Sequence, residues 1–206
     1  MSGFIGATPV GAATAVSAAP ALIDDENVPE ILRAALLEIV SKIRALEARM
    51  KTIEAELKRY AAASADVQAI QQVPGIGLLT ATALVATVGS PTHFRDGRHL
   101  AAWMGLTPRH TGSGHRLHMG GISKRGDRYL RMLLIHGARS VLIRAQINAK
   151  TGQSLNRLQQ WAMDLKQRSN HNKATCALAN KLARIAWAVW AHDRDFDGNH
   201  AIAMAA

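Results

Sequence analysis

Residues 30–60 read EILRAALLEIVSKIRALEARMKTIEAELKRY. In this stretch Leu32, Leu36, Ile39, Ile43, Leu46, Met50, Ile53 and Leu57 follow one another at alternating steps of four and three. A sustained 3.5-residue repeat is the mark of a coiled coil, whereas a helix lying on a globular core drifts at 3.6. The pattern predicts a coiled-coil helix over residues 28–62. With Leu36, Ile43, Met50 and Leu57 at the a positions, Lys42 and Glu47, and Arg49 and Glu54, fall on g and e. Those charges are complementary across two parallel strands, so self-association through residues 30–60 is the expected use of the seam. A helical hairpin within one chain is the alternative, but no second heptad helix of similar length is evident.

On the N-terminal side, residues 1–27 are mostly Ala, Gly, Thr, Ser and Pro without periodicity, and read as a disordered leader. No Lys or Arg precedes Arg33, so the basic start of a signal peptide is missing. No apolar run reaches the ~18 residues of a membrane span. The expected location is cytoplasmic, with no membrane contact.

On the C-terminal side, residues 63–195 read as a helical domain and 196–206 as a disordered tail. Asp66–Gln72 is a short helix. Val73-Pro74-Gly75-Ile76-Gly77 makes a turn into an apolar helix at Leu78–Val88, which Gly89-Ser90-Pro91 stops. Arg98–Met104 forms another helix ahead of Gly105. Five glycines in residues 105–125 indicate a loop, with room for a short hairpin. Helices follow over Asp127–Ala149, Ser154–Lys166 and Lys173–Ala191. Tyr129, Leu133, Leu134, Val141 and Leu142 in the first of these are available for packing, and Trp161, Trp187 and Trp190 in the other two. Runs of β-branched residues at period two are absent, so the fold class is all-α: a coiled-coil helix followed by a compact helical domain.

Charge points to a partner. The chain has 25 Lys and Arg against 15 Asp and Glu, a net +10. From Arg95 to Arg144 there are ten basic residues, with only Asp96 and Asp127 opposing them. Such local density suits a phosphate backbone, and a mere helical scaffold does not explain it; a soluble basic surface with no partner is the alternative. The single cysteine, Cys176, excludes an internal disulfide and reads as a small buried hydrophobe.

Two segments carry the candidate chemistry. The Pro74–Gly77 turn resembles a helix-hairpin-helix module, in which Gly75 and Gly77 let the backbone turn tightly and leave the next helix's first amides free for a phosphate, the alternative being a plain helix–turn–helix packing joint. The loop Gly105-Leu-Thr-Pro-Arg-His-Thr-Gly-Ser113-Gly-His-Arg116 leaves Ser113 between two glycines, and Arg109, Arg116, Lys124 and Arg125 supply positive charge nearby. An accessible hydroxyl among cations is what attack on a phosphodiester needs, but a serine is a weak nucleophile without a base or metal, and this loop holds no carboxylate. From the residues alone a plain Ser/Gly turn beside a basic patch is the better reading. His110, His115 and His118 make a poor metal site among arginines, so no metal is assigned. Ser123 and Ser140 are rival hydroxyls, Ser140 reading as a structural mid-helix residue.

In order, Val73-Pro-Gly-Ile-Gly77, Leu100-Ala-Ala-Trp-Met-Gly-Leu-Thr-Pro-Arg109, Ser113-Gly114, Gly121-Ile-Ser-Lys-Arg-Gly-Asp-Arg-Tyr-Leu-Arg131 and Ala179-Asn-Lys-Leu-Ala-Arg-Ile-Ala186 resemble the C-terminal domain of the insertion-sequence-110 type transposases, also called bridge-RNA-guided recombinases. The likeness covers roughly residues 30–192. It implies DNA transposition or site-specific recombination, with a serine that links covalently to DNA. That serine follows the Gly-Leu-Thr-Pro-Arg stretch and precedes a glycine, which places it at Ser113. Gly75, Gly77, Arg109, Arg116, Lys124, Arg125 and Arg128 are the expected DNA-binding residues. The family also implies a guide RNA and an N-terminal ribonuclease-H-like domain whose four acidic residues bind divalent metal. Asp24, Asp25 and Glu26 do not match that pattern. The expectation is therefore a chain without that domain and with no cofactor of its own, needing Mg²⁺ only when an acidic partner domain supplies the carboxylates. The alternative is a non-catalytic DNA-binding protein that co-assembles with a full-length transposase and regulates it.

Overall fold

The structure is a computed structural model that describes residues 12–112 and 118–199. It is all-α apart from one two-stranded hairpin, as the sequence predicts. The chain divides into two compact units, Met1–Glu56 and Leu57–Ala206.

The first unit contains α1 (Ala12–Ile23) and most of α2 (Glu30–Ala63). Helix α1 falls inside the leader read as disordered. Alanine is the strongest helix former, and its high local density makes a helix that carries no apolar period to reveal it. Helix α2 is continuous over 34 residues, as the heptads require. Much of its seam faces outward: Leu46 is 61% exposed and Met50 67%, and Leu32, Ile39 and Ile53 are exposed as well, whereas Leu36, Ile43 and Leu57 are half-buried. Lys42 pairs with Glu38 one turn back at 3.0 Å.

The second unit is built around α8 (His171–His192), which packs against α3 (Ala65–Gln71), α5 (Gly97–Trp103), α6 (Arg128–Lys150), α7 (Arg157–Arg168) and the 3-10 turn Pro91–His93. The inner faces of α8 are largely small: Ala174, Ala179, Ala183 and Ala186 alternate with Leu178 and Leu182, all buried. Small residues let neighbouring helices come close, and α5 takes advantage with Gly97, where an added Cβ would sit 2.8 Å from the Arg184 carbonyl oxygen. Each helix starts on a side-chain cap where its sequence offers one: Ser64, Asp96, Asp127, Asn156 and Asn170 all accept from amides of the first turn.

Helix α4 (Leu78–Val88) follows α3 through the Val73–Gly77 turn. Val73 and Ile76 are buried and anchor that turn, while Gly75 takes φ +81°. Gly75 lies directly on Gly137 of α6. A Cβ on Gly75 would be 2.6 Å from the Gly137 carbonyl oxygen, and a Cβ on Gly137 would overlap the Gly75 carbonyl. Two backbones therefore touch where two helical layers meet.

Two further expectations change. In α6 it is Leu130, with Leu134, Val141 and Leu142, that enters the core, while Tyr129 is exposed. The start of the expected tail also stays attached: the Phe196 amide donates to Gln72 Oε1 at 3.0 Å, and the Gly198 carbonyl accepts from the Leu158 amide at 3.3 Å. No described helix is long and apolar enough to cross a membrane.

Candidate nucleic-acid interface

The glycine-rich segment after α5 forms an antiparallel hairpin of β1 (Pro108–Thr111) and β2 (His118–Ile122). Its base is clamped by backbone contacts. The Lys124 amide donates to the Gly105 carbonyl at 3.1 Å and the Ser123 amide to the Thr107 carbonyl at 2.8 Å. Gly126, at φ +102°, abuts the Trp103 carbonyl so closely that a Cβ there would overlap it. Two side chains complete the clamp: Arg131 donates to the Met104 carbonyl at 2.9 Å, and Asn180 of α8 to the Leu106 carbonyl at 3.2 Å. Arg131 thus spends its charge on structure. Sequence reasoning passed over this residue, since an arginine inside a basic stretch resembles its neighbours.

Of the residues expected to bind DNA, Arg109, Lys124, Arg125 and Arg128 are all exposed on the hairpin or at the start of α6. None has a carboxylate partner among the described residues. Gly77 is exposed with open space around it and begins α4 with no side chain on the first amides. Gly75 differs: its need for glycine comes from its contact with Gly137 and its positive φ. Ser113, His115 and Arg116 lie outside the described residues. Ser123 is half-buried, and Ser140 donates back to the Gly137 carbonyl at 2.7 Å, as a mid-helix serine does.

The two acids of the basic stretch are already engaged. Asp96 accepts from the His99 amide and Asp127 from the Leu130 amide, each at 2.7 Å. The His99 amide holds the Asp96 carboxyl below its usual range. Both carboxylates are engaged as helix caps, and the described residues bring no three His, Cys, Asp or Glu side chains together.

The structure adds residues that the sequence did not single out. Between β2 and α8 runs an open groove of about 910 Å³, lined by Lys124 from the hairpin's exit and by Lys173, Lys181 and Arg184 from α8. Trp161 of α7 forms part of its wall, with Lys181 Nζ 3.9 Å from the centre of the indole. Burial, and then repulsion from Arg184, lowers the Lys181 amine to about 8. Cys176 opens into the same groove and is half-buried, more accessible than a core cysteine. Burial nonetheless pushes its thiol up, against the pull of Lys124 and Arg139.

Comparison with known proteins identifies the family. Residues 67–153, from α3 to the end of α6, match the model of the transposase IS116/IS110/IS902 family. The chain belongs to that family. It is 42% identical over 154 residues to a probable family 20 transposase of Pseudomonas aeruginosa, covering 75% of this chain and 44% of that protein. Against the transposase for insertion sequence element IS1111A of Coxiella burnetii it is 46% identical over 136 residues, 66% of this chain and 36% of the relative. A pilin gene-inverting protein of Moraxella lacunata is 31% identical over 126 residues, 61% of this chain and 37% of its own length. The chain therefore spans less than half the length of these curated relatives.

Proposed function

We propose that this transposase-family chain binds DNA and supplies the serine nucleophile of a transposition or site-specific recombination reaction. The observation that carries the reading is the clamped hairpin. Arg109, Lys124, Arg125 and Arg128, exposed and without a carboxylate partner among the described residues, lie on or beside the clamped base, and the segment joining the two strands contains Ser113 and Arg116. In this reading Ser113 Oγ attacks a DNA phosphorus, forms a phosphoserine ester and releases a DNA hydroxyl that takes up a proton. The cations stabilise the charge that builds on the phosphoryl oxygens. Because Asp96 and Asp127 are committed to capping, the carboxylates for Mg²⁺ come from an acidic ribonuclease-H-like domain, and a guide RNA selects the target. Gly77 and the uncapped start of α4 add a sequence-independent phosphate contact, as a helix-hairpin-helix element would.

Affinity for duplex or branched DNA is expected to fall steeply with salt and to depend little on sequence. Four phosphate contacts correspond to roughly a hundredfold loss of affinity over a fourfold rise in salt. Changing Arg109, Arg116, Lys124 and Arg125 together to Glu should abolish binding while helical circular dichroism is retained. Salt-independent binding, or unchanged affinity in this variant, would contradict the reading.

The same reading makes the chain a homo-oligomer. A second helix would cover the exposed heptad residues Leu32, Ile39, Leu46, Met50 and Ile53 of α2, and the g and e charges suit a parallel second copy. Sedimentation should give a dimer or larger species for the wild type and a monomer for the Leu46→Asp, Ile53→Asp double variant. Equal monomeric masses for both would dismiss the seam as an interface.

A further inference from the structure

We propose that the groove between β2 and α8 holds an unpaired nucleic-acid strand, a site that shares only Lys124 with the hairpin's exposed cations. The proposal rests on the DNA-binding reading and names a second element within it. Its form is the first argument. Lys173, Lys181 and Arg184 lie along one helix over about 16 Å, a linear track suited to successive phosphates rather than to a single anion. Opposite them Lys124 and the exposed backbone of Gly120 and Gly121 form the other wall, and no acid lines the groove.

The floor is the second argument. Leu106, Ile122 and Ala177 make it apolar, Trp161 adds an aromatic face, and Asn172 and Asn180 offer amides. A basic rim above an apolar, aromatic floor is the arrangement that takes a single strand, phosphates outward and bases inward. A duplex presents paired bases and a convex backbone, so it gains nothing from such a floor. Asn180 uses its amide N–H on Leu106, and its side-chain oxygen remains to accept from a base.

Lys181 links the two parts. In the free protein its ammonium lies over the Trp161 ring, with Arg184 as a cationic neighbour. A phosphate gives Lys181 an anionic partner and frees the indole face for a base. The charged groups around it are Lys173 and Arg184 on its own helix and Lys124 across the groove; Cys176 stays a neutral thiol because burial raises it. Since the amine is lowered to about 8 and an anion raises it again, binding above that pH takes up a proton. Affinity should be level below pH 8 and fall as pH rises through it, by about tenfold between pH 7 and 9.

The test is fluorescence anisotropy on the full chain with labelled oligothymidylate, oligouridylate and a mixed-sequence duplex. A Lys173→Glu, Arg184→Glu variant should bind either single strand at least tenfold more weakly and keep its duplex affinity within twofold. Lys181→Arg, which cannot titrate, should bind single strands as the wild type does at pH 7 and lose the dependence on pH. Strand-induced change in tryptophan emission should be missing in Trp161→Phe. Whichever oligomer the wild type prefers identifies the strand as DNA or RNA. Equal losses on single strand and duplex, no loss on either, or a pH profile unchanged in Lys181→Arg would overturn the groove. Wild-type binding to duplex alone would overturn it and leave the hairpin reading standing, whereas binding to no probe would remove both.

Discussion

Gly137→Val is expected to destabilise the helical unit by ~3 kcal/mol or more and to lower its melting temperature by roughly 10 °C. The cause is a contact between two backbones. The carbonyl of Gly75 occupies the place where a side chain at Gly137 would begin, and Gly75 itself is held at φ +81° with the Gly137 carbonyl against its α-carbon. A side chain at the end of a flexible stem could swing aside; a carbonyl in a turn fixed by buried Val73 and Ile76 cannot move without shifting α4 off α6. Against a total stability of ~5–15 kcal/mol, that loss leaves a marginal domain. Gly121→Ala is the control, because its added Cβ meets nothing within 4 Å, and it should melt within ~0.5 kcal/mol of the wild type. A Gly137→Val protein with wild-type stability would mean that the turn is not seated on α6.

This contact shows where sequence reading stops. The Pro74–Gly77 turn was visible because proline and glycine punctuate the chain locally, but the local reading gave both glycines to a phosphate. Only the fold separates them: Gly77 is open and Gly75 is packed against a residue far along the chain. Helix α2 was fully legible, since a heptad repeat is a one-dimensional signal. Helix α1 was not, because alanine forms helices without leaving a period. The shift from Tyr129 to Leu130 in the core of α6 arises because adjacent apolar residues do not say which one faces inward.

The interface follows the same rule. Charge density between Arg95 and Arg144 marked the hairpin from sequence, and the exposed Arg109, Lys124, Arg125 and Arg128 lie there. Arg131 could not be told apart from them until its bond to the Met104 carbonyl was seen. Lys173, Lys181 and Arg184 escaped notice for the opposite reason. They are scattered along a helix dominated by alanine and leucine, and only the packing of α8 beside β2 collects them with Lys124 along one groove.

The central claim is that Ser113 is the nucleophile, and trapping of a covalent intermediate tests it most directly. A serine hydroxyl needs activation, and neither acid of the basic stretch is available to provide it, Asp96 and Asp127 being helix caps. The chain alone should therefore leave DNA intact. Combined with a ribonuclease-H-like domain of the family, Mg²⁺, a guide RNA and matching DNA, it should give a protein–DNA adduct that survives boiling in detergent. Ser113→Ala should reduce that adduct to background, while Ser123→Ala and Ser140→Ala retain it, Ser140 being bound to the Gly137 carbonyl within its own helix. An adduct that persists in Ser113→Ala would contradict the account, as would cleavage by the chain on its own.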